Sequence, residues 1–180
     1  LPVAIRKGTG NVVDNLRSLL SISNDILQGD FHEAGTTAGR FAINTTVGVL
    51  GFFDPASALG LKEKGKEDFG QTLGAWGGAS GCYFVLPILG PTTVRDSIGL
   101  VGNIFLDPIY QITHNTEIDN GVIGNSNYSE HNYYYYRGTS AVDFRAKNIE
   151  SFDSLKKNSI DLYASVKSLY LQDRKKKILN

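Results

Sequence analysis

The segment of this 180-residue chain that most suggests chemistry is Gly78-Ala79-Ser80-Gly81-Cys82. Its form is close to the G-x-S-x-G turn that exposes a nucleophilic serine, and a cysteine thiolate is also a nucleophile. The second glycine of that motif would stand at position 82, where this chain has cysteine, and no histidine or lysine adjoins it. An acyl hydrolase using Ser80 or Cys82 is therefore a minor hypothesis, and a buried, inert Cys82 is favoured.

Other residues that could support catalysis or bind cofactors are scattered. His32, His114 and His131 have no metal-binding spacing, and one cysteine allows neither an intramolecular disulfide nor a Cys-based metal site. Gly8-Thr9-Gly10 lacks the third glycine of a dinucleotide-binding turn. Eighteen basic residues balance eighteen acidic ones, so no global charge attracts nucleic acid. We therefore expect no enzyme activity, no cofactor, no metal and no nucleic-acid partner.

Charged residues beside apolar runs are a more informative pattern. Arg40 precedes the uncharged run Phe41 to Phe53, Asp68 precedes a second run, and Arg95-Asp96 follows it. Charges at membrane depth are costly and usually mark paired or cavity-lining groups. On a water-exposed surface the same residues would be weak ion pairs. The sequence leaves both interpretations open.

The second uncharged run, Phe69 to Val94, is longer than the ~20 apolar residues that a membrane-spanning helix needs. Six glycines and two prolines interrupt it, which makes a continuous helix improbable on energetic grounds. It could be a re-entrant hairpin at a lipid boundary or an ordinary glycine-rich hairpin in a soluble core. Trp76, Tyr83 and Tyr133 to Tyr136 are candidate interfacial aromatics, or simply core and surface residues.

The rest of the chain predicts a mostly helical fold. Apolar residues recur at helical spacing from Val12 to Leu27, before Gly29, and again from Phe31 to Thr45. The remaining predictions are a helix start at Asp54-Pro55, a solvated connector Leu61 to Asp68, a strand-like piece Cys82 to Leu86, a loop Thr113 to Asn132, and two helices from Ala141 onward, the last ending in the basic cluster Arg174 to Lys177.

Two long motifs now identify a resemblance. Gly39 to Gly48 (GRFAINTTVG) with Gly51 to Ala56 (GFFDPA), and Glu67 to Gly74 (EDFGQTLG) with Trp76-Gly77, resemble the MlaA (VacJ) family of outer-membrane lipoproteins. Shorter matches continue through Leu86-Pro87, Gly90-Pro91, Arg95-Asp96, Ser159 to Tyr163 and Tyr170 to Arg174. The resemblance covers about residues 8 to 175. One departure is Gly81-Cys82-Tyr83, where the family usually has G-P-Y.

The resemblance implies an all-α, ring-like single domain of amphipathic helices, lying on the periplasmic side of the outer membrane around an amphipathic pore. Such proteins withdraw mislocalised phospholipids from the outer leaflet and pass them towards a soluble periplasmic carrier, often while bound to trimeric porins. The implied domain is 1–180. Because the chain begins at Leu1 without methionine, we expect the family's signal, lipidation site and first helix to be missing. The alternative is a lipoprotein scaffold that docks a porin without moving lipid.

In this interpretation the hairpin Phe69 to Leu89 is the pore wall and gate. Its candidate residues are Gly74, Trp76, Gly77, Gly78, Gly81 and Tyr83, whose glycines permit hinging. Arg40, Asp68, Arg95 and Asp96 are candidates to line the pore or to close the ring.

Overall fold

A computed structural model describes residues 3–87, 90–114 and 130–179, except for the side chains of 112–114, 130–132 and 144. As predicted, the described chain is mostly helical. Its elements are α1 (Val3–Gln28), α2 (Phe31–Thr46), α3 (Pro55–Ala58), α4 (Phe69–Ala75), β1 (Tyr83–Leu86), β2 (Gly90–Thr93), α5 (Val94–Leu106), α6 (Pro108–His114), α7 (Glu130–Asn158) and α8 (Leu162–Leu179). Leu1, Pro2, Leu89 and most of the predicted loop Thr113 to Asn132 lie outside the described residues.

Aspartates begin several of these helices. The side chains of Asp30, Asp54 and Asp68 accept a backbone N–H three residues on, at 3.1, 3.2 and 3.0 Å, so each satisfies a donor that a helix leaves unpaired. Pro55 stands at the start of α3, as predicted. Gly29 ends α1 with φ +79°, a conformation that glycine adopts without strain. The predicted end of α1 and the predicted bounds of α2 are thereby confirmed. The predicted start of α1 is wrong, because the helix begins at Val3, nine residues before Val12, and includes the buried Gly8 and Gly10.

Three further boundaries differ from prediction because tertiary contacts outweigh local composition. Helix α7 begins at Glu130, not Ala141, and includes the tyrosine run, whose Tyr133 is buried against the Tyr110 ring at 5.1 Å. The last three connector residues, Lys66 to Asp68, are half-buried rather than solvated, since the Glu67 N–H bonds Ser21 Oγ at 3.0 Å. Helix α6 also extends through the start of the predicted loop.

The glycine-rich run folds in two parts. Its first part is α4, where Gly70 and Gly99 allow α4 and α5 to approach closely: a Cβ on Gly99 would lie 2.4 Å from the Gly70 nitrogen. Its second part is an antiparallel hairpin in which Tyr83 pairs with Thr93 and Leu86 with Gly90. The strand-like piece is confirmed as β1. The sequence missed β2 because Gly-Pro-Thr-Thr lacks strand composition.

Burial is inverted relative to an ordinary soluble domain. Along α5, the apolar residues Val94, Ile98, Val101 and Phe105 form one helical stripe and are exposed, whereas Arg95, Asp96, Gly99 and Asn103 on the opposite side are buried. Helix α1 likewise buries Asn15, Ser18, Ser21, Asn24 and Asp25. Among the described helices, none combines the length and apolar character required to cross a bilayer.

Candidate functional site

The buried Arg40 organises the first of two ion-pair centres, which we call the Arg40 centre (Arg40, Asn44, Asp54 and Ser57). The Arg40 guanidinium donates to both carboxylate oxygens of Asp54, at 3.2 and 3.1 Å, and also to Ser57 Oγ and the Leu61 carbonyl. The Asn44 side chain adds a donor to Asp54 at 2.9 Å. Because Asp54 also caps α3, this centre fixes α3 against α2.

The second centre, which we call the Arg174 centre (Asp68, Arg95, Asp96, Tyr170 and Arg174), joins α4, α5 and α8. Arg174 donates to both oxygens of Asp68, at 2.5 and 2.9 Å, and to Asp96 Oδ1 at 2.8 Å. Arg95 Nε lies 3.1 Å from the same Asp96 oxygen, and the Tyr170 hydroxyl donates to the other at 2.6 Å. The structure therefore brings three of the four predicted charges together and leaves Arg40 elsewhere.

The sequence missed Arg174 and Tyr170 as partners of these charges. Arg174 belongs to the basic cluster at the end of the last predicted helix, where basic side chains are usually solvated, yet its side chain is 11% exposed. A usable signal was its four-residue separation from Tyr170, which places both on one side of a helix. Their partners in α4 and α5 are too distant in sequence for any local pattern to reveal.

Both arginines hold their carboxylates ionised. Burial alone would raise the pKa of Asp54, but the hydrogen bonds from Ser57 and Asn44 and the charge of Arg40 lower it to about 2. Burial would also raise the pKa values of Asp68 and Asp96, and Arg174 outweighs it, so both are lowered. The centres are thus permanently charged near neutral pH.

Asp25 shows what happens to a buried carboxylate without an arginine. It is 3% exposed, and burial, followed by the negative charges of Glu67, Glu33 and Asp30, raises its pKa to about 7. Its nearest described donor is Thr37 Oγ1, at 3.5 Å. Nothing in the local sequence indicates that Asp25 is buried, so its raised pKa could not be predicted without the fold.

The predicted hairpin residues occupy different settings. Gly74 lies within α4, and Gly77, Gly78 and Gly81 lie between α4 and β1, with φ +88° at Gly77 and +68° at Gly81. Trp76 is 58% exposed, with its indole N–H on the Leu27 carbonyl at 3.1 Å. Tyr83 is half-buried and packs on the rings of Tyr163 and Tyr170, at 5.6 and 5.9 Å.

A cleft adjoins the Arg174 centre. It is lined by Asp68, Pro91, Thr92, Asp96, Leu100, Asn103, Tyr170 and Arg174. Charged groups therefore face apolar ones across a space between α4, β2, α5 and α8. Such a lining suits a molecule with a polar and an apolar part.

An exposed turn after α2, which we call the apolar turn (Val47 to Phe53), presents Val47, Val49, Leu50 and Phe53 at 59–70% exposure. Val49 and Leu50 have φ +55° and +57°. Left-handed backbone costs non-glycine residues roughly 1–2 kcal/mol each. The turn therefore holds apolar side chains outward against both solvation and backbone preference, and such strain is typical of functional sites.

The hydrolase hypothesis gains no geometric support. Ser80 and Cys82 lie in extended coil before β1, where their carbonyls accept the Arg95 and Val94 N–H groups, and not in a strand-turn-helix. Cys82 is exposed, so the expectation of a buried cysteine is wrong. Within residues 3–87, 90–114 and 130–179, no three His, Cys, Asp or Glu side chains are placed to hold a metal ion.

Comparison with known proteins gives a consistent assignment. The family model for MlaA lipoprotein matches residues 1–177. The intermembrane phospholipid transport system lipoprotein MlaA of Haemophilus influenzae is 32% identical over 99% of this chain and 66% of its own length, and its Escherichia coli K12 counterpart is 29% identical over 96% and 62%. An uncharacterized protein of Rickettsia felis is 32% identical over 91% of this chain and 59% of its own. The chain thus spans about three fifths of such relatives.

A solved structure, from work on the structural basis for maintenance of bacterial outer membrane lipid asymmetry, also matches. It superposes with a TM-score of 0.76 and 27% identity over 99% of this chain and 82% of that one. The family model covers nearly every residue, and the fold agrees over nearly the whole chain. The chain belongs to the MlaA lipoprotein family.

Proposed function

We propose that this chain is the phospholipid-handling part of an outer-membrane lipoprotein. It removes mislocalised phospholipids from the outer leaflet and passes them towards a periplasmic lipid carrier, without catalysing a reaction. The similarity to named components of an intermembrane phospholipid transport system supports the substrate. The inverted burial of α5, apolar outward and polar inward, is the observation that carries the proposal.

The outward apolar residues suit a lipid environment. Exposing a large apolar side chain to water forgoes about 1.5–3 kcal/mol of burial free energy, so water alone does not favour the α5 stripe or the apolar turn. Contact with acyl chains of the periplasmic leaflet restores that free energy. The chain then lies within one leaflet, with its polar interior offering headgroups a path past the acyl region.

The hairpin residues Gly74, Trp76, Gly77, Gly78, Gly81 and Tyr83 remain our candidates for the wall and gate of that path. Gly77 and Gly81 hold left-handed backbone that other residues adopt only with strain. The ring-closing residues in this proposal are Arg40, Asp68, Arg95 and Asp96. Arg40, Asp68 and Asp96 form ion pairs that join different elements, and Arg95 pairs with its neighbour Asp96. A trimeric porin and a soluble carrier are the proposed partners.

The function is tested in E. coli cells that lack their own MlaA lipoprotein and express this chain behind that lipoprotein's signal and anchor. We expect restored lipid asymmetry, measured as loss of surface aminophospholipid labelling by an impermeant amine reagent. Gly77→Ala, which strains a residue at φ +88°, should impair restoration, whereas Gly35→Ala should not, since a Cβ there meets open space at ordinary φ. Unchanged labelling with the native chain at normal abundance would refute lipid removal.

The scaffold alternative is separated by the purified protein. A lipid-handling protein should retain phospholipid through purification in mild detergent, detected by mass spectrometry. A chain that docks a porin but carries no phospholipid would support the scaffold instead.

A further inference from the structure

A second cleft lies between α1, α2 and the connector before α4, and we call it the polar cleft. All of its described lining residues are polar: Asn11, Asp14, Asn15, Ser18, Arg40, Asn44, Asp54, Glu63 and Lys66. Three of them are acidic and two are basic. At neutral pH the lining therefore carries a net formal charge of −1.

The two cations differ in what they can still bind. The terminal nitrogens of Arg40 already donate to Asp54, Ser57 and the Leu61 carbonyl. Lys66 Nζ contacts Glu63 Oε1 at 2.5 Å and Ser18 Oγ at 2.9 Å. An ammonium has three protons, so Lys66 retains one donor for an anionic group.

Two carboxylates at the same cleft retain acceptors. Asp14 uses Oδ2 for Lys147 at 2.7 Å, and no described residue donates a hydrogen bond to its Oδ1. Glu63 uses Oε1 for Lys66, while its Oε2 is 3.9 Å from Arg40 Nη2. Their side chains are 34% and 41% exposed, so a ligand can reach them. The cleft thus offers one spare cationic donor and two spare anionic acceptors.

The polar cleft also adjoins the apolar turn. Asn11 in the cleft donates to the Phe52 carbonyl at 3.1 Å, and Asn15 contacts Gly51 closely enough that a Cβ on Gly51 would meet its side chain at 2.6 Å. Acyl chains beside Leu50 and Phe53 would therefore bring the attached headgroup to the cleft.

We propose that the polar cleft binds a zwitterionic phospholipid headgroup with a primary ammonium, that is, a phosphoethanolamine headgroup. This inference rests on the proposed function and specifies its substrate. Lys66 contacts the phosphate, and Asp14 and Glu63 accept hydrogen bonds from the ammonium. An anionic headgroup is disfavoured, because the net negative charge of the lining repels it. A quaternary ammonium has no N–H to donate, and the described lining contains no aromatic ring to hold it by cation–π contact.

The test is binding of soluble dihexanoyl phospholipids to the purified chain by isothermal titration calorimetry. We expect dihexanoyl phosphatidylethanolamine to bind about tenfold more tightly than the phosphatidylglycerol and phosphatidylcholine analogues, the range of one charge-assisted hydrogen bond. The double variant Asp14→Asn, Glu63→Gln should abolish this preference. Lys66→Gln should lower the affinity for all three lipids by similar factors.

Each control variant changes the net charge by the same amount as the variant that it controls. Glu150→Gln with Asp153→Asn removes two exposed carboxylates on α7, and Lys62→Gln removes an exposed connector lysine. These should leave both affinity and preference unchanged. Preference for phosphatidylglycerol, equal binding of the three lipids, or a preference that survives in the double variant would overturn the inference while leaving phospholipid handling intact. Failure to bind any phospholipid would overturn both proposals.

Discussion

The Arg40 and Arg174 centres are built alike but join residues at very different separations along the sequence. In each, an arginine forms an ion pair with an aspartate that also caps a short helix, Asp54 for α3 and Asp68 for α4. Arg40 and Asp54 are 14 residues apart, whereas Arg174 and Asp68 are 106 apart. The first centre closes a local turn, and the second ties the last helix to the middle of the chain.

This difference matters because α8 has no buried residue of its own among those described. Its contacts with the rest of the chain include the hydrogen bonds of Arg174 and Tyr170, ring contacts with Tyr83, and the packing of Ile178 on Gly74. Ion pairs and hydrogen bonds of this kind suit a protein whose exterior is apolar. Lipid solvates apolar side chains as well as a neighbouring helix does, so apolar burial alone does not favour one arrangement of the helices.

Arg174→Gln should have the largest effect. It leaves the buried Asp96 with only Arg95 as a cation and removes the arginine partner of the half-buried Asp68. Breaking a buried pair such as Arg174–Asp96 costs about 3–5 kcal/mol. We expect that loss in the free energy of unfolding, together with rapid proteolysis of α8. Lys175→Gln, on an exposed neighbour of the same helix, is the control. Retention of native stability would show that packing, not charge, holds α8.

Arg40→Gln should cost less, about 2–3 kcal/mol, because Asp54 is 35% exposed and can be partly hydrated. Helix α8 should stay protected from protease, since the Arg174 centre is untouched. Urea unfolding and limited proteolysis measure the two effects. Release of α8 in this variant would contradict the independence of the two centres.

Asp25→Asn sharpens the contrast by removing a buried carboxylate that has no arginine. Because the folded-state pKa of Asp25 is raised to about 7, its contribution to stability is complete below pH 3.8 and is lost as the pH rises through 7. The variant should therefore be more stable than the native chain at pH 8. The gain comes from a slope of at most about 1.4 kcal/mol per pH unit, measured by unfolding at several pH values. Identical pH profiles for the two proteins would refute the assignment.

Tyr170→Phe should have the smallest effect, about 1.5 kcal/mol, because it removes one hydrogen bond to the ionised Asp96 and keeps the ring packing on Tyr83. Thermal unfolding measures this, with Tyr163→Phe as the matched control, since Tyr163 also packs on Tyr83. Equal losses in both variants would show that the hydroxyl of Tyr170 contributes nothing specific.

Features that depend on residues nearby in the sequence could be predicted, whereas features that depend on distant residues could not. Caps, periodicity and composition located the end of α1, the bounds of α2, the start of α3 and β1, because each depends on neighbours within a few residues. The start of α7 and the partners of Asp68 and Asp96 depend on residues 23 to 106 positions away. Helical periodicity also marks an apolar side without saying whether it faces the core or lipid, so the inversion of α5 needed coordinates.

Trp76 provides the most direct test of the account, because it is the sole tryptophan of the chain and is exposed beside Leu27 and Phe69. The chain is reconstituted in vesicles with lipids brominated along the acyl chains, and its intrinsic fluorescence is measured. We predict blue-shifted emission that bromine quenches strongly and aqueous acrylamide quenches weakly. Red-shifted emission that acrylamide quenches and bromine does not would contradict an apolar exterior in contact with lipid.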